Sequence, residues 1–206
     1  MTHRFAELMF TPQVKAVQTA NGSRAAYARY TEADAPAYDH LGPDEQDFIA
    51  ARDSFYLASV SATGWPYVQV RGGTPGFLKT LDETTIGFAD YRGNKQYVSV
   101  GNLATDDRVS LILMDYPNRR RLKLLGHARV VDRSDEPELL ARLEVGSTAR
   151  VERGIVITLE GFDWNCPKYI TPRFTEAELA DRLAPFAARL RALEAENETL
   201  RAAQPK

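Results

Sequence analysis

Apolar and polar residues alternate through most of the chain between Phe55 and Leu159. Phe55 to Ser61 alternates up to Thr63-Gly64, a hairpin signal, and Tyr67 to Arg71 continues on the far side. Phe77 to Leu81 and Thr84 to Ala89 flank a tight Asp82-Glu83 turn. Arg108 to Met114 leads through Pro117-Asn118 into the long run Arg121 to Val131, and Val151 to Leu159 is a last strand rich in Val and Ile. Two helices interrupt this series. One starts near Gln96 and runs to Thr105; the other covers Glu136 to Leu143, with Pro137 near its start and Gly146 past its end. Six or seven short strands joined mostly by tight turns predict a mainly β fold with flanking helices. An antiparallel barrel fits this better than a doubly wound parallel sheet.

The ends of the chain read differently. Near the N-terminus Thr11 caps a helix that has Pro12 in its first position and ends after Ala20 at Asn21-Gly22. A polar connection through Pro36 and Leu41-Gly42-Pro43 opens a second short helix, Asp44 to about Arg52. At the other end Thr175-Glu176-Ala177-Glu178 is a capping box. Beyond it Leu179, Phe186, Leu193 and Leu200 recur every seven residues, with Leu183, Leu190 and Asn197 on the same seam. Pro185 is expected to kink or split this helix. The seam suits either packing against a barrel or a short zipper, and both fit a homodimer. The expected organisation is a helical arm over residues 1–46, a barrel over 47–174 and an amphipathic helix over 175–206 as a dimer contact.

Composition narrows the function classes. Of 206 residues 44% are hydrophobic and 26% charged, enough for a good core, and a formal charge of -2 argues against general polyanion binding. No apolar run reaches membrane-spanning length, and the first residues lack the apolar core of a secretion signal. The single cysteine, Cys166, excludes an internal disulfide and suits a reducing cytoplasm. His3, His40 and His127 lie far apart, without metal-ligand spacing. No Gly-x-Ser-x-Gly elbow is present, and no histidine stands where a Ser or Cys nucleophile would need a base. Any catalysis therefore calls for a bound cofactor.

Three stretches carry candidate chemistry. In Asp90-Tyr91-Arg92-Gly93-Asn94-Lys95-Gln96 a strand end, a glycine, two cations and a helix start make a site for a phosphate, against the alternative of an exposed turn. In Gln69-Val70-Arg71-Gly72-Gly73-Thr74-Pro75-Gly76 the glycines mark a bulge, a close backbone approach or a plain hairpin loop. Gln69 and Arg71 share one strand face there. Asn118-Arg119-Arg120-Arg121-Leu122-Lys123 is basic, but alternation sends Arg119, Arg121 and Lys123 to one face and Arg120 to the other. It also lacks the interleaved aromatics of a nucleic-acid surface, so an exposed hairpin with one arginine turned to a ligand or partner is expected.

These stretches, with Asp107-Arg108-Val109-Ser110-Leu111 and Trp164-Asn165-Cys166-Pro167-Lys168-Tyr169-Ile170-Thr171-Pro172-Arg173-Phe174, resemble the FMN-binding split-barrel superfamily, and in particular pyridoxamine 5′-phosphate oxidase-like proteins. The resemblance runs from about Asp47 to Val131 and resumes at Trp164 to Phe174. It implies a homodimeric antiparallel Greek-key split barrel with FMN between the subunits, and an oxidoreductase acting on an unidentified small molecule. The resemblance places Gln69, Val70, Arg71 and Gly72 on the isoalloxazine or ribityl side. It places Arg92, Gly93, Asn94, Lys95 and Gln96 at the phosphate. Arg121 would reach the flavin from the partner subunit, and the segment containing Trp164, Asn165, Lys168 and Arg173 would close the site. Arg71 or Arg121 beside the flavin's pyrimidine edge would raise its potential. The Arg-x-His pair by which the vitamin B6 oxidases hold substrate is replaced here by Trp164-Asn165-Cys166-Pro167-Lys168, which argues against that substrate. The alternatives are deazaflavin F420 in place of FMN, a flavin carrier or sensor without turnover, and a split barrel that binds haem or nucleic acid.

Overall fold

The computed structural model describes residues 3–32, 35–146, 150–164 and 167–203. The chain divides into two compact units, Met1–Asp115 with Arg120–Pro167, and Tyr116–Arg119 with Lys168–Lys206.

The first unit is built on seven strands: β1 (Ser54–Val60), β2 (Pro66–Gly72), β3 (Lys79–Asp82), β4 (Thr85–Tyr91), β5 (Arg108–Asp115), β6 (Arg120–Val131) and β7 (Val151–Trp164). They form one sheet in the order β2-β1-β5-β6-β7-β4-β3, with every pairing antiparallel. The core explains why the sheet curls. Inward residues from the second strand in from each end of that order, Phe55 and Leu57 on β1 and Ile86 and Phe88 on β4, belong to one buried cluster. Leu111, Leu122 and Ile155 from the central strands complete it. Phe55 stacks on Phe77 and meets Phe88 edge-on, with ring centroids 5.6 and 5.3 Å apart. Alternation on each strand therefore buries one face inside a split barrel.

Helices cover the outside. Four short ones precede β1: α1 (Arg4–Met9), α2 (Pro12–Ala20), α3 (Arg24–Ala28) and α4 (Pro43–Ala50). The Thr11 hydroxyl accepts from the amide of Val14 at the start of α2, and the Glu45 carboxylate accepts from the amide of Gly42 at the start of α4. After β4 comes α5 (Val98–Leu103), and after β6 comes α6 (Pro137–Leu143). The second buried cluster joins Leu143 of α6 to Ala89, Val131 and Val156 on the strands beneath it. Glycines allow this contact: a Cβ on Gly87 or Gly154 would lie 2.8 Å from a Leu143 methyl.

Two expectations change. The last strand runs five residues beyond Leu159, because a register shift at Leu125/Gly126 lets β7 continue past Glu160 and Gly161 to Trp164. Arg119 does not join a strand face with Arg121 and Lys123; it sits in the preceding turn at φ +54°. In the second unit Thr175 and Glu178 form the expected capping box, but Pro185 does not split the helix as expected, since α7 (Glu176–Ala202) runs through it as one element.

Candidate cofactor site

The β2 alternation sets the first wall of the site. Tyr67, Gln69 and Arg71 point to one face and are half-buried, whereas Val68 and Val70 point to the other and are exposed. The second wall is the segment linking β4 to α5. Tyr67, Gln69, Arg71, Asp90, Gly93, Asn94, Lys95, Gln96, Tyr97 and Ser99 line one cleft of about 190 Å³. Two hydrogen bonds fix α5 against the sheet. The Ser99 hydroxyl donates to the Gln69 side-chain oxygen Oε1 at 3.0 Å, and the Asn102 amide donates to the Ser59 hydroxyl at 2.9 Å, the latter pair buried.

The loop geometry differs from a plain helix start. α5 has six residues and begins at Val98, two residues later than the sequence pattern places it. Both Lys95 and Tyr97 are left-handed, at φ +62° and +53°. Each such residue costs on the order of 1 kcal/mol, and strain of this kind concentrates at ligand sites. The Asn94 side-chain oxygen accepts from the Gln96 amide at 3.1 Å, which holds the turn. Gly93 needs no special φ, and a Cβ there would meet nothing closer than the Tyr91 carbonyl at 4.0 Å. Its Cβ position is therefore open space beside the cleft.

Charge is concentrated around Asp90. Arg71 donates to Asp90 at 2.7 Å, and Arg153 approaches the same carboxylate at 3.7 Å from across the β4–β7 pairing. Burial pushes the Asp90 carboxyl above the ordinary range, Arg71 and then Arg153 pull it back, and Glu152 pushes it up again. Arg153 also pairs with Glu152 at 3.1 Å and lies over the Tyr97 ring at 4.8 Å. The Nε groups of Arg71 and Arg153 are buried donors without a hydrogen-bond partner among the described residues, the nearest acceptor to Arg153 Nε being the Asp90 carboxylate at 3.7 Å. Arg71 is thus matched by Asp90, which weakens the expectation that it alone would raise a flavin's potential. Lys95 makes no ion pair among the described residues.

The other predicted residues stand elsewhere. Arg92 is half-exposed, 4.0 Å from Glu152, and lines an adjoining cavity of about 670 Å³ with Lys95, Arg133, Glu144, Arg150 and Arg153. Gly72 lies at the far end of β2, where a Cβ would be 3.4 Å from the Asp53 carbonyl. The neighbouring Gly73 has a packing reason, since a Cβ there would come within 2.7 Å of the Phe77 side chain. Arg121 is half-buried on β6, opposite Met114. Trp164 donates to Glu45 at 2.6 Å and meets Phe48 edge-on. Arg120 covers the Phe48 and Trp164 rings at 5.2 and 4.7 Å. With Arg120 on aromatic rings and Lys123 paired to Asp163 at 3.1 Å, the basic run presents no uniform stripe to a polyanion. Lys168 and Arg173 belong to the second unit, where Arg173 lies over the Tyr116 ring at 5.1 Å. Asn165 and Cys166 lie outside the described residues.

Sequence reasoning missed Asp90, Ser99, Glu152 and Arg153 as parts of this wall. An acidic residue ending an apolar strand was a readable signal for Asp90; Arg153 reaches it only through long-range strand pairing. Among the described residues no three His, Cys, Asp or Glu side chains are grouped to hold a metal ion, and no helix is long and apolar enough to cross a membrane.

Sheet order, inward core and cleft define a split barrel with a polar pocket at the edge of β2. Residues 41–160 match the family profile described as pyridoxamine 5′-phosphate oxidase, and the chain belongs to that family. Among solved structures it is similar to HupZ of Group A Streptococcus, with 13% identity over 65% of this chain and 99% of that one, and a TM-score of 0.51. An FMN-binding protein from Syntrophomonas wolfei aligns at 15% identity over 59% of this chain and 83% of that one, with a TM-score of 0.44. HutZ, a haem storage protein from Vibrio cholerae, aligns at 18% identity over 60% and 94% with a TM-score of 0.42. The last two likenesses are too loose to carry weight, and the first concerns the fold alone. No curated protein sequence matches the chain.

Proposed function

We propose that this chain is an FMN-binding flavoprotein and an oxidoreductase acting on a small molecule, with the site completed by a second copy. The observation that carries the reading is the single cleft in which Gln69 and Arg71 meet Asn94, Lys95 and Gln96. Lys95, with Arg92 beside it, would hold the phosphate by charge-assisted hydrogen bonds. Gln69 would offer its amide to the polar edge of the ring, oriented by Ser99. The open Cβ position of Gly93 leaves room for the ligand. When bound, the flavin supplies two-electron redox chemistry that no side chain here offers.

A cleft of about 190 Å³ is smaller than a typical small-molecule site, which starts near ~300 Å³. This supports a shared site. So does the outer face of β2, β1 and β5, where Val70 and Tyr56 are cross-strand neighbours, as are Tyr56 and Ile112. Val68 and Val70 there are 60% and 58% exposed, a strip that a second copy would cover. On this reading Arg121 would reach the flavin from the second copy.

Mass spectrometry of the small molecule released on denaturing the purified protein tests the cofactor. FMN is the expected result; deazaflavin F420, haem or no ligand overturns it. Anaerobic mixing with NADH or NADPH then tests turnover, since bleaching of the yellow protein is expected of an oxidoreductase and its absence favours a carrier.

A further inference from the structure

Every described residue from 171 to 203 is exposed, including the whole of the 27-residue α7. Six large apolar side chains lie along this helix without cover. Leu179, Leu183, Phe186, Leu190, Leu193 and Leu200 are 46, 51, 72, 58, 43 and 61% exposed. Their spacing alternates four and three residues from Leu179 to Leu193, and Asn197 carries the same alternation on to Leu200, which is the period of a helix seam rather than of a helix lying on a globular core. A polar helix with one uncovered apolar stripe gains little from propensity alone and needs a partner for the stripe.

We infer that α7 pairs with α7 of a second copy as a parallel, in-register, two-stranded coiled coil. With Leu183, Leu190 and Asn197 at position a, the residues Leu179, Phe186, Leu193 and Leu200 occupy d. Arg189 and Glu196 then stand at g, Glu194 and Arg201 at e. A parallel partner brings each g residue to the e residue five positions on, matching Arg189 with Glu194 and Glu196 with Arg201, so both flanking pairs attract. Asn197 meets its own counterpart and the two amides satisfy each other, which happens only in this register. An antiparallel partner would set position a against position d and bury the Asn197 amide against leucine. Pro185 falls at position c, so its missing N–H faces away from the seam. The helix lies outside the residues matched to the family, 41–160, and the pairing does not rest on the flavin reading.

Variants of the full chain with one added cysteine test this in the absence of added flavin, with the parent protein, whose only thiol is Cys166, as baseline. Leu193→Cys and Leu200→Cys are expected to form interchain disulfides nearly to completion under mild oxidation. Glu198→Cys, at outward position b, should stay at the parent's level. Light scattering should give a dimer mass. No crosslink at either seam position in folded protein overturns the proposal, as does equal crosslinking at Glu198. A mixed disulfide between Leu183→Cys and Leu193→Cys chains in place of the like pairs would show an antiparallel arrangement and overturn it too. Loss of flavin binding with intact crosslinks would count against the cofactor assignment alone.

Discussion

The buried hydrogen bond between Asn102 and Ser59 ties α5, and with it the loop proposed to bind the cofactor, to the barrel, and its removal has a calculable effect. Both residues are buried, at 6% and 2% exposed, and they link α5 to β1. Replacing either one leaves the other's polar group buried without its partner, at a cost of about 1–3 kcal/mol. Ser59→Ala and Asn102→Ala are each expected to lose about 2 kcal/mol. In a chain of this size that is a fall in Tm of about 4–8 °C. The double variant has no stranded partner on either side, so it should lose less than the sum of the singles by about 1 kcal/mol. Urea denaturation of the four proteins measures this coupling directly. Because α5 also carries Ser99 against Gln69, the single variants should weaken FMN binding in a titration, whereas Thr63→Ala on the far hairpin should not. Additive losses across the cycle, or full FMN affinity in both single variants, would refute the tether.

Other expectations follow from the same geometry. Arg108 donates to Asp106 through its side chain at 2.8 Å and through its backbone amide at 3.1 Å, which lowers the Asp106 pKa to about 2. A depressed folded pKa contributes stability that is present above the unfolded value and lost as pH falls from near 4 through 2. An NMR titration should place Asp106 near 2 and show Arg108→Ala moving it back up; an unmoved value would contradict the assignment. Gly126→Ala would drive its Cβ into the Thr158 carbonyl, which cannot yield, while Gly154→Ala meets side chains alone, the ends of Leu143 and Leu140 at 2.8 and 3.2 Å and the Val131 Cβ at 3.5 Å. Losses of about 3 kcal/mol and about 1 kcal/mol are expected in denaturation, and the reverse ranking would show that the β6–β7 ladder is softer than its geometry implies.

Much of the fold could be read along the chain. The Thr11-Pro12 start, the Thr175/Glu178 box and the β2 alternation are local signals, and local chemistry decides them. α1 and α3 escaped because they are six and five residues long and neither has a side-chain cap. The reach of β7 to Trp164 depends on a bulge whose cause, the close approach of Gly126 to Thr158, is a contact between distant strands. For the site, Gln69 and Arg71 were legible from period two and Lys95 from its loop. The left-handed Lys95 and Tyr97 have no side-chain signature, and they delay α5 to Val98. The partnership of Asp90 with Arg153 exists only because β4 pairs with β7 in a particular register.

The central claim, that Lys95 and its neighbours in the β2 cleft grip the phosphate of a flavin, is tested most directly by comparing FMN with riboflavin. Fluorescence-quenching titrations of the parent protein and of Lys95→Ala supply the four affinities. A charge-assisted hydrogen bond is worth about 1.5–3 kcal/mol, so Lys95→Ala should weaken FMN about 10- to 100-fold and leave riboflavin nearly unchanged. Equal weakening of both ligands, or a parent protein that binds neither, would contradict it.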